Sequence, residues 1–292
     1  MRRKTSLIVL VILLALWIMM QTACAFKKSA SSPISTSAQL SRQPSKEGLT
    51  ALPTPAPLIP AGGAKWRLGR LVFSDEFDGP QLDTHKWDTQ YWNGRTNLRE
   101  LGYYAPDAFE FISGTLRLKA EQRRMEKMSY TSGMISSYRK FDLTYGYVEM
   151  RSKIPRGQGL WPAFWLLTYE KLPLFEIDIM EIIGHEPQRV HTTIHYRESN
   201  DMNLEDGNVY EGADFSANFH LFAVEWNSNA IIWYIDNVEC YRVTHHVPQQ
   251  PMYIIANLAV GGDWPGSPDR TTHFPAYFEI DYIRAYQLQQ TP

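Results

Sequence analysis

Three carboxylates stand within six residues of this chain, in Glu176-Ile-Asp-Ile-Met-Glu181. In an extended strand successive side chains point to opposite faces, so Glu176 and Asp178 share one face and Ile177 and Ile179 the other. Strict alternation would turn Glu181 into the core, where an unpaired carboxylate is costly. One extra residue, a β-bulge near Ile179-Met180, returns Glu181 to the face of the other two. Three acids crowded on one face raise at least one pKa, and burial raises it further. Two carboxyl groups, one ionised and one protonated at the same pH, are what a nucleophile and a general acid need to cleave a glycosidic bond. The same spacing also suits a calcium site or a solvated acidic strand, and the hexapeptide alone leaves these open.

Aromatic and imidazole side chains recur around the acids. Trp161 and Trp165 lie four residues apart and share a face in extended chain, as a stacking platform for the C–H side of a sugar requires. Either could instead fill a core. Trp264 lies in a Gly/Pro-rich loop, where an indole has less reason to be buried. His191, Thr193 and His195 alternate along Val190–Tyr196 and share a face, although a lone strand histidine is usually only a hydrogen-bonded structural residue. Asn257 suits a sugar hydroxyl or its own turn equally. With 9 Trp and 16 Tyr in the chain, most aromatics must serve a β-rich core rather than a ligand.

Short strands must position these groups. Gly114–Lys119, Gly146–Arg151, Ala230–Ile235 and Phe278–Ile283 alternate apolar and polar residues, and Asp236-Asn237 reads as a hairpin turn. The chain shows no long 3.6-period segment and no internal repeat. The expectation is one all-β sandwich or barrel over residues 65–292. A hydrophobic share of 44% with 21% charged residues suffices for a core, and a net charge of -2 gives no reason to expect nucleic acid or an anionic membrane as partner.

Residues 1–25 read as an export leader: Met1-Arg-Arg-Lys4, then an apolar run to about Met20. Ala23-Cys24-Ala25 offers a cleavage site, and Thr22-Ala23-Cys24 resembles a lipoprotein box. An uncleaved anchor is the third reading, so release and a membrane tether both stay open. Residues 26–64, rich in Ser, Pro, Thr and Ala, read as a disordered linker. Of the two cysteines only Cys240 falls in the domain, which excludes a disulfide framework there.

Several separated stretches, in order, carry a resemblance. They are Phe73-Ser-Asp-Glu-Phe77, Gly159-Leu-Trp-Pro-Ala-Phe-Trp165, the acidic hexapeptide, Phe219-His220 with Trp226, Trp233-Tyr-Ile-Asp236, Asn257-Leu-Ala-Val-Gly-Gly262 with Trp264-Pro-Gly266, and Asp281–Tyr286. Together they resemble glycoside hydrolase family 16, the laminarinase and lichenase family, and the hexapeptide has the longer, bulged form typical of laminarinases. The resemblance implies a β-jelly-roll sandwich of two antiparallel sheets, concanavalin-like, with a concave substrate cleft. It implies a retaining endo-glycosidase acting on β-1,3-glucan or mixed-linkage β-1,3-1,4-glucan, with Glu176 as nucleophile, Glu181 as general acid and base, and Asp178 tuning the nucleophile. Trp161, Trp165, His195, Asn257, Trp264 and Glu100 are its implied substrate-binding residues. At the Glu100–Tyr104 loop, Arg99 and Gly102 depart from the family's usual residues. The resemblance also implies a structural calcium held by Glu76, the carbonyl of Gly114 and Asp281, and no catalytic cofactor. A galactan hydrolase of the same family and a non-catalytic carbohydrate-binding jelly roll are the competing readings. The expected partner is a polysaccharide, the expected state a monomer, and the expected location extracellular or at the cell surface.

Overall fold

The computed structural model describes residues 66–97, 99–169, 174–197 and 203–290, all within one compact unit spanning 53–292. The expected leader and linker lie outside the described residues. In chain order the strands are β1 (Trp66–Asp75), β2 (Gly102–Tyr104), β3 (Phe109–Phe111), β4 (Leu116–Ala120), β5 (Tyr130–Ser132), β6 (Met134–Ser136), β7 (Asp142–Leu143), β8 (Gly146–Lys153), β9 (Leu160–Thr168), β10 (Leu174–Glu181), β11 (Arg189–Arg197), β12 (Asn203–Glu211), β13 (His220–Asn227), β14 (Ala230–Ile235), β15 (Val238–Val243), β16 (Met252–Val260) and β17 (Ala276–Gln290). Among the described residues there is no α-helix, and so none long and apolar enough to cross a membrane.

Two large antiparallel sheets face each other, as the alternating sequence predicts. One runs β15-β14-β13-β8-β17-β4-β3, with β1 also on β17; the other runs β12-β11-β10-β9-β16-β6, with β7 also on β16. A small parallel pair, β2 with β5, completes the described strands. Each strand sends alternate residues between the sheets: Val148 and Met150 from β8, Phe222, Val224 and Trp226 from β13, Phe164 and Leu166 from β9, Ile177 and Ile179 from β10. These side chains form the core, and burying each contributes roughly 1.5–3 kcal/mol. Asp236 and Asn237 both take positive φ (46° and 69°) between β14 and β15, the backbone that a tight hairpin requires. Trp87, Trp226 and Trp233 are fully buried, so these three indoles serve the core.

The other alternate positions of the central strands of the β12–β6 sheet point to its outer face, and in β16 and β9 many of them are apolar too. There Tyr104, Met134, Tyr253 and Ile255 form a second apolar layer, with Tyr91, Tyr138, Trp165, Leu167 and Tyr169 packed on it. That layer is the floor beside which the acids stand.

Candidate active site

β10 carries all three acids, and its pairing explains why they converge. Asp178 lies opposite Trp165 of β9, but the next pair is Met180 with Phe164, so Ile179 is the extra residue of a bulge. The register with β11 breaks at the same place, between Asp178 and Glu181. Ile177, Ile179 and Met180 are all buried in the core, while Glu181 emerges on the face of Glu176 and Asp178. The bulge expected near Ile179-Met180 is therefore present, and it is the local device that re-aims Glu181.

The groups on that face are tightly coupled. Ligand-capable atoms of Glu176, Asp178 and His195 all lie within 4.8 Å of one another. Asp178 is 2% exposed and shares a hydrogen bond with Glu176, and its Oδ2 stands 3.1 Å from His195 Nε2. The other ring nitrogen, Nδ1, stands 3.3 Å from Glu205 Oε2. Burial pulls the His195 pKa down, but Asp178, Glu176 and Glu205 outweigh it and hold the imidazole up at about 9. A ring protonated at neutral pH is a cation rather than a metal ligand.

The two glutamates differ in their surroundings. Burial first, then the Asp178 charge, pushes both carboxyl groups up. The positive His195 opposes that rise at Glu176. At Glu181 the further influence is Glu176 itself, which raises the pKa more, against one hydrogen bond from Trp161 Nε1 to Oε1 at 3.1 Å. Glu181 is thus the better proton holder and Glu176 the better anion.

Around the acids, Trp264 meets Trp161 edge-on at 5.3 Å and His191 at 4.8 Å. Trp264 is 41% exposed, as its loop position suggested. Trp165 and Trp161 are both half-buried on the acidic face. Beside Glu176, a cavity of about 300 Å3 is walled by Leu167, Leu174, His195 and Arg197.

Two of the expected sugar contacts lie below the cleft surface. Glu100 is 6% and Asn257 4% exposed, and their polar atoms bind Tyr104 and Trp165 within the protein rather than opening to the cleft. The expected calcium ligands do not fit the ion as they stand. Both Glu76 oxygens accept from Arg284, at 2.9 and 2.8 Å, and Asp281 accepts from Arg151 at 2.6 Å. Gly114, in the turn before β4, takes a positive φ of 74°, and a Cβ added there would meet Asp78 Oδ1 at 2.9 Å. A cation would have to displace two guanidinium groups.

Glu205 and Tyr91 are site neighbours that sequence reading missed. Glu205 faces His195 through the β11–β12 register, and Tyr91 packs 6.2 Å from Trp165 out of an irregular loop. Alternation along β12 was the one available signal for Glu205; nothing in the sequence pointed to Tyr91.

Comparison with known proteins adds to this geometry. The family described as glycosyl hydrolases family 16 matches residues 103–284, which include the whole acidic strand. A second description, beta-glucan synthesis-associated protein SKN1/KRE6/Sbg1, matches 4–172 and stops short of the acids. A glucan endo-1,3-beta-glucosidase A1 from Niallia circulans is 33% identical over 75% of this chain and 38% of its own length. A beta-glucanase from Rhodothermus marinus is 34% identical over 74% of this chain and 85% of its own. The laminarinase catalytic domain from Thermotoga maritima MSB8 superposes with a TM-score of 0.68 at 33% identity, covering 76% of this chain and 98% of that one. The chain thus spans little more than a third of the first relative and most of the second. With a bulged strand of three acids set in a two-sheet sandwich, and with these matches across it, the chain belongs to glycosyl hydrolase family 16.

Proposed function

We propose that this protein is a retaining endo-glycosidase that hydrolyses β-1,3-glucan of the laminarin type, with mixed-linkage β-1,3-1,4-glucan as a second substrate. The observation that carries the reading is the asymmetry of the bulged strand, where His195 favours the anion at Glu176 and nothing comparable does so at Glu181. Glu176 attacks the anomeric carbon while the glycosidic C–O bond breaks, and Glu181 gives its proton to the departing oxygen. Glu181 then takes a proton from water, the water oxygen bonds to the anomeric carbon, and Glu176 leaves as carboxylate. Retention requires the two carboxyl groups about 5–5.5 Å apart, a spacing the bulge serves by bringing Glu181 back onto the acidic face. Asp178 holds and tunes Glu176, while Trp161, Trp165 and Trp264 offer aromatic faces and edges to the sugars.

Polymers of this kind do not enter cells, which accords with the export leader read in residues 1–25 and with action outside the cell or tethered to its surface. A lipid mass shift on Cys24 distinguishes tethering from release.

Reducing-sugar release from laminarin, barley mixed-linkage glucan and agarose, by wild type and Glu176→Gln, tests the main reading. Wild type is expected to act on laminarin and the variant on nothing. Proton NMR of the first products should show the β-anomer. Inactivity on both glucans sinks the reading, and activity on agarose alone moves the substrate to galactan.

A further inference from the structure

A chain of hydrogen bonds, part-buried at its first link and buried at the next two, runs from the cleft to a carboxylate beneath it. Trp165 Nε1 donates to Asn257 Oδ1 at 2.8 Å, Asn257 Nδ2 donates to Tyr104 OH at 3.1 Å, and Tyr104 OH donates to Glu100 Oε2 at 2.7 Å. Every direction in it follows from the first. An indole can only donate, so Asn257 must offer its oxygen to Trp165 and its amide nitrogen to Tyr104. Tyr104 OH, accepting from Asn257, sends its own proton to Glu100. All three donors therefore point the same way and end on an acceptor, an arrangement in which each bond polarises the next. Tyr104 is 1% exposed, and Tyr91 braces it edge-on at 5.3 Å while packing 6.2 Å from the Trp165 ring. The strands enforce the geometry: Asn257 of β16 lies opposite Ala163 of β9, diagonal to Trp165.

We infer that Glu100 and Tyr104 are positioning residues that lock the Trp165 ring, through Asn257, in the orientation a sugar stacks on, without touching the sugar themselves. The inference rests on the glucan-binding reading. A free indole must be ordered when the ligand arrives, which weakens binding about 3- to 10-fold. The chemistry at Glu176 and Glu181 is not engaged, so kcat stays within about twofold of wild type while KM rises.

Two measurements on the full chain test this. Laminaritetraose binding is followed by tryptophan fluorescence in a Glu176→Gln background. Tyr104→Phe and Glu100→Ala are expected to weaken it about 3- to 10-fold, and Glu100→Gln, which keeps an acceptor, to restore it. In a Trp165→Phe background, which has no N–H to lock, Tyr104→Phe should add nothing. A full additional loss there, or a Glu100→Gln as damaging as Glu100→Ala, overturns the inference. The second measurement needs no ligand: the Trp165 indole N–H, assigned by its absence in Trp165→Phe, should exchange with solvent faster in Tyr104→Phe. Unchanged exchange also overturns the inference. If the protein binds no laminaritetraose at all, the glucan reading fails, and indole exchange still decides whether the lock exists.

Discussion

At the residue scale, the decisive feature is that Asp178 acts on both working groups unequally. It shares a hydrogen bond with Glu176 and pairs with His195, and its charge raises the pKa of Glu181 after burial has already done so. The sign of a substitution follows. An anion beside a carboxyl group disfavours ionisation, so removing the charge lets Glu181 lose its proton at lower pH. In the proposed mechanism the basic limb of the kcat/KM profile reports loss of that proton from the free enzyme. Asp178→Asn keeps the shape of the side chain, and it is expected to move the basic limb toward lower pH by about one unit. A basic limb that stays in place or moves up would mean that Glu181 is not the group being titrated. His195 provides the check on specificity. Held at about 9 by its carboxylate neighbours, it loses its main partner in the variant, and its own titration, followed by NMR, should fall as well.

At the element scale, the bulge in β10 is supported from the opposite sheet. Trp233 of β14, fully buried, donates its indole N–H to the carbonyl of Asp178 at 2.8 Å. A backbone acceptor at an irregular point of the ladder thus has its partner across the core. Trp226 is a matched control, equally buried, with its N–H on the carbonyl of Pro248 at 3.0 Å, away from the acids. Trp233→Phe and Trp226→Phe should each lose about 1–3 kcal/mol through an unsatisfied buried carbonyl. Only Trp233→Phe should also lower kcat, by tenfold or more, because small displacements of reacting groups are expensive. Equal kcat in the two variants would show that the bulge holds without its indole. The bulge itself was legible, since only an extra residue keeps Glu181 out of the core. Its support was not, because Trp233 is 55 residues away in the chain and alternation reveals a face, not a partner. The inward hydrogen bonds of Glu100 and Asn257 were not legible for a related reason: a polar residue beside the cleft looks the same in sequence whether it faces a sugar or a buried tyrosine. Glu76 and Asp281 were implied as calcium ligands by the resemblance alone, and local spacing gave no sign of their arginine partners, Arg284 and Arg151.

At the scale of the whole molecule, both sheets bury carboxyl groups, and this fixes how stability varies with pH. Glu100, under the cleft, is pushed up to about 7 by burial. On the outer face of the other sheet, Glu149 of β8 is 8% exposed and likewise raised by burial to about 7, against the attraction of Arg284. An acid whose pKa is higher folded than unfolded binds more protons in the native state over the interval between the two values. Its stabilising contribution is complete below the unfolded value near 4.5 and is lost as pH rises through about 7. For Glu149 the difference corresponds to up to about 3 kcal/mol. The thermal midpoint of the protein should therefore decline between about pH 5 and pH 8. Glu149→Gln removes one share of that decline, because the amide cannot ionise and still accepts the 3.4 Å hydrogen bond from Tyr286 OH. Scanning calorimetry is expected to give similar midpoints for the two proteins at pH 4 to 5, with the variant several degrees higher by pH 8. Glu149 lies on the sheet opposite the acids, so the kcat of the variant should match wild type. Parallel midpoints across the whole range would mean that Arg284 compensates the buried charge in full, and that the molecule's pH dependence originates at the cleft alone.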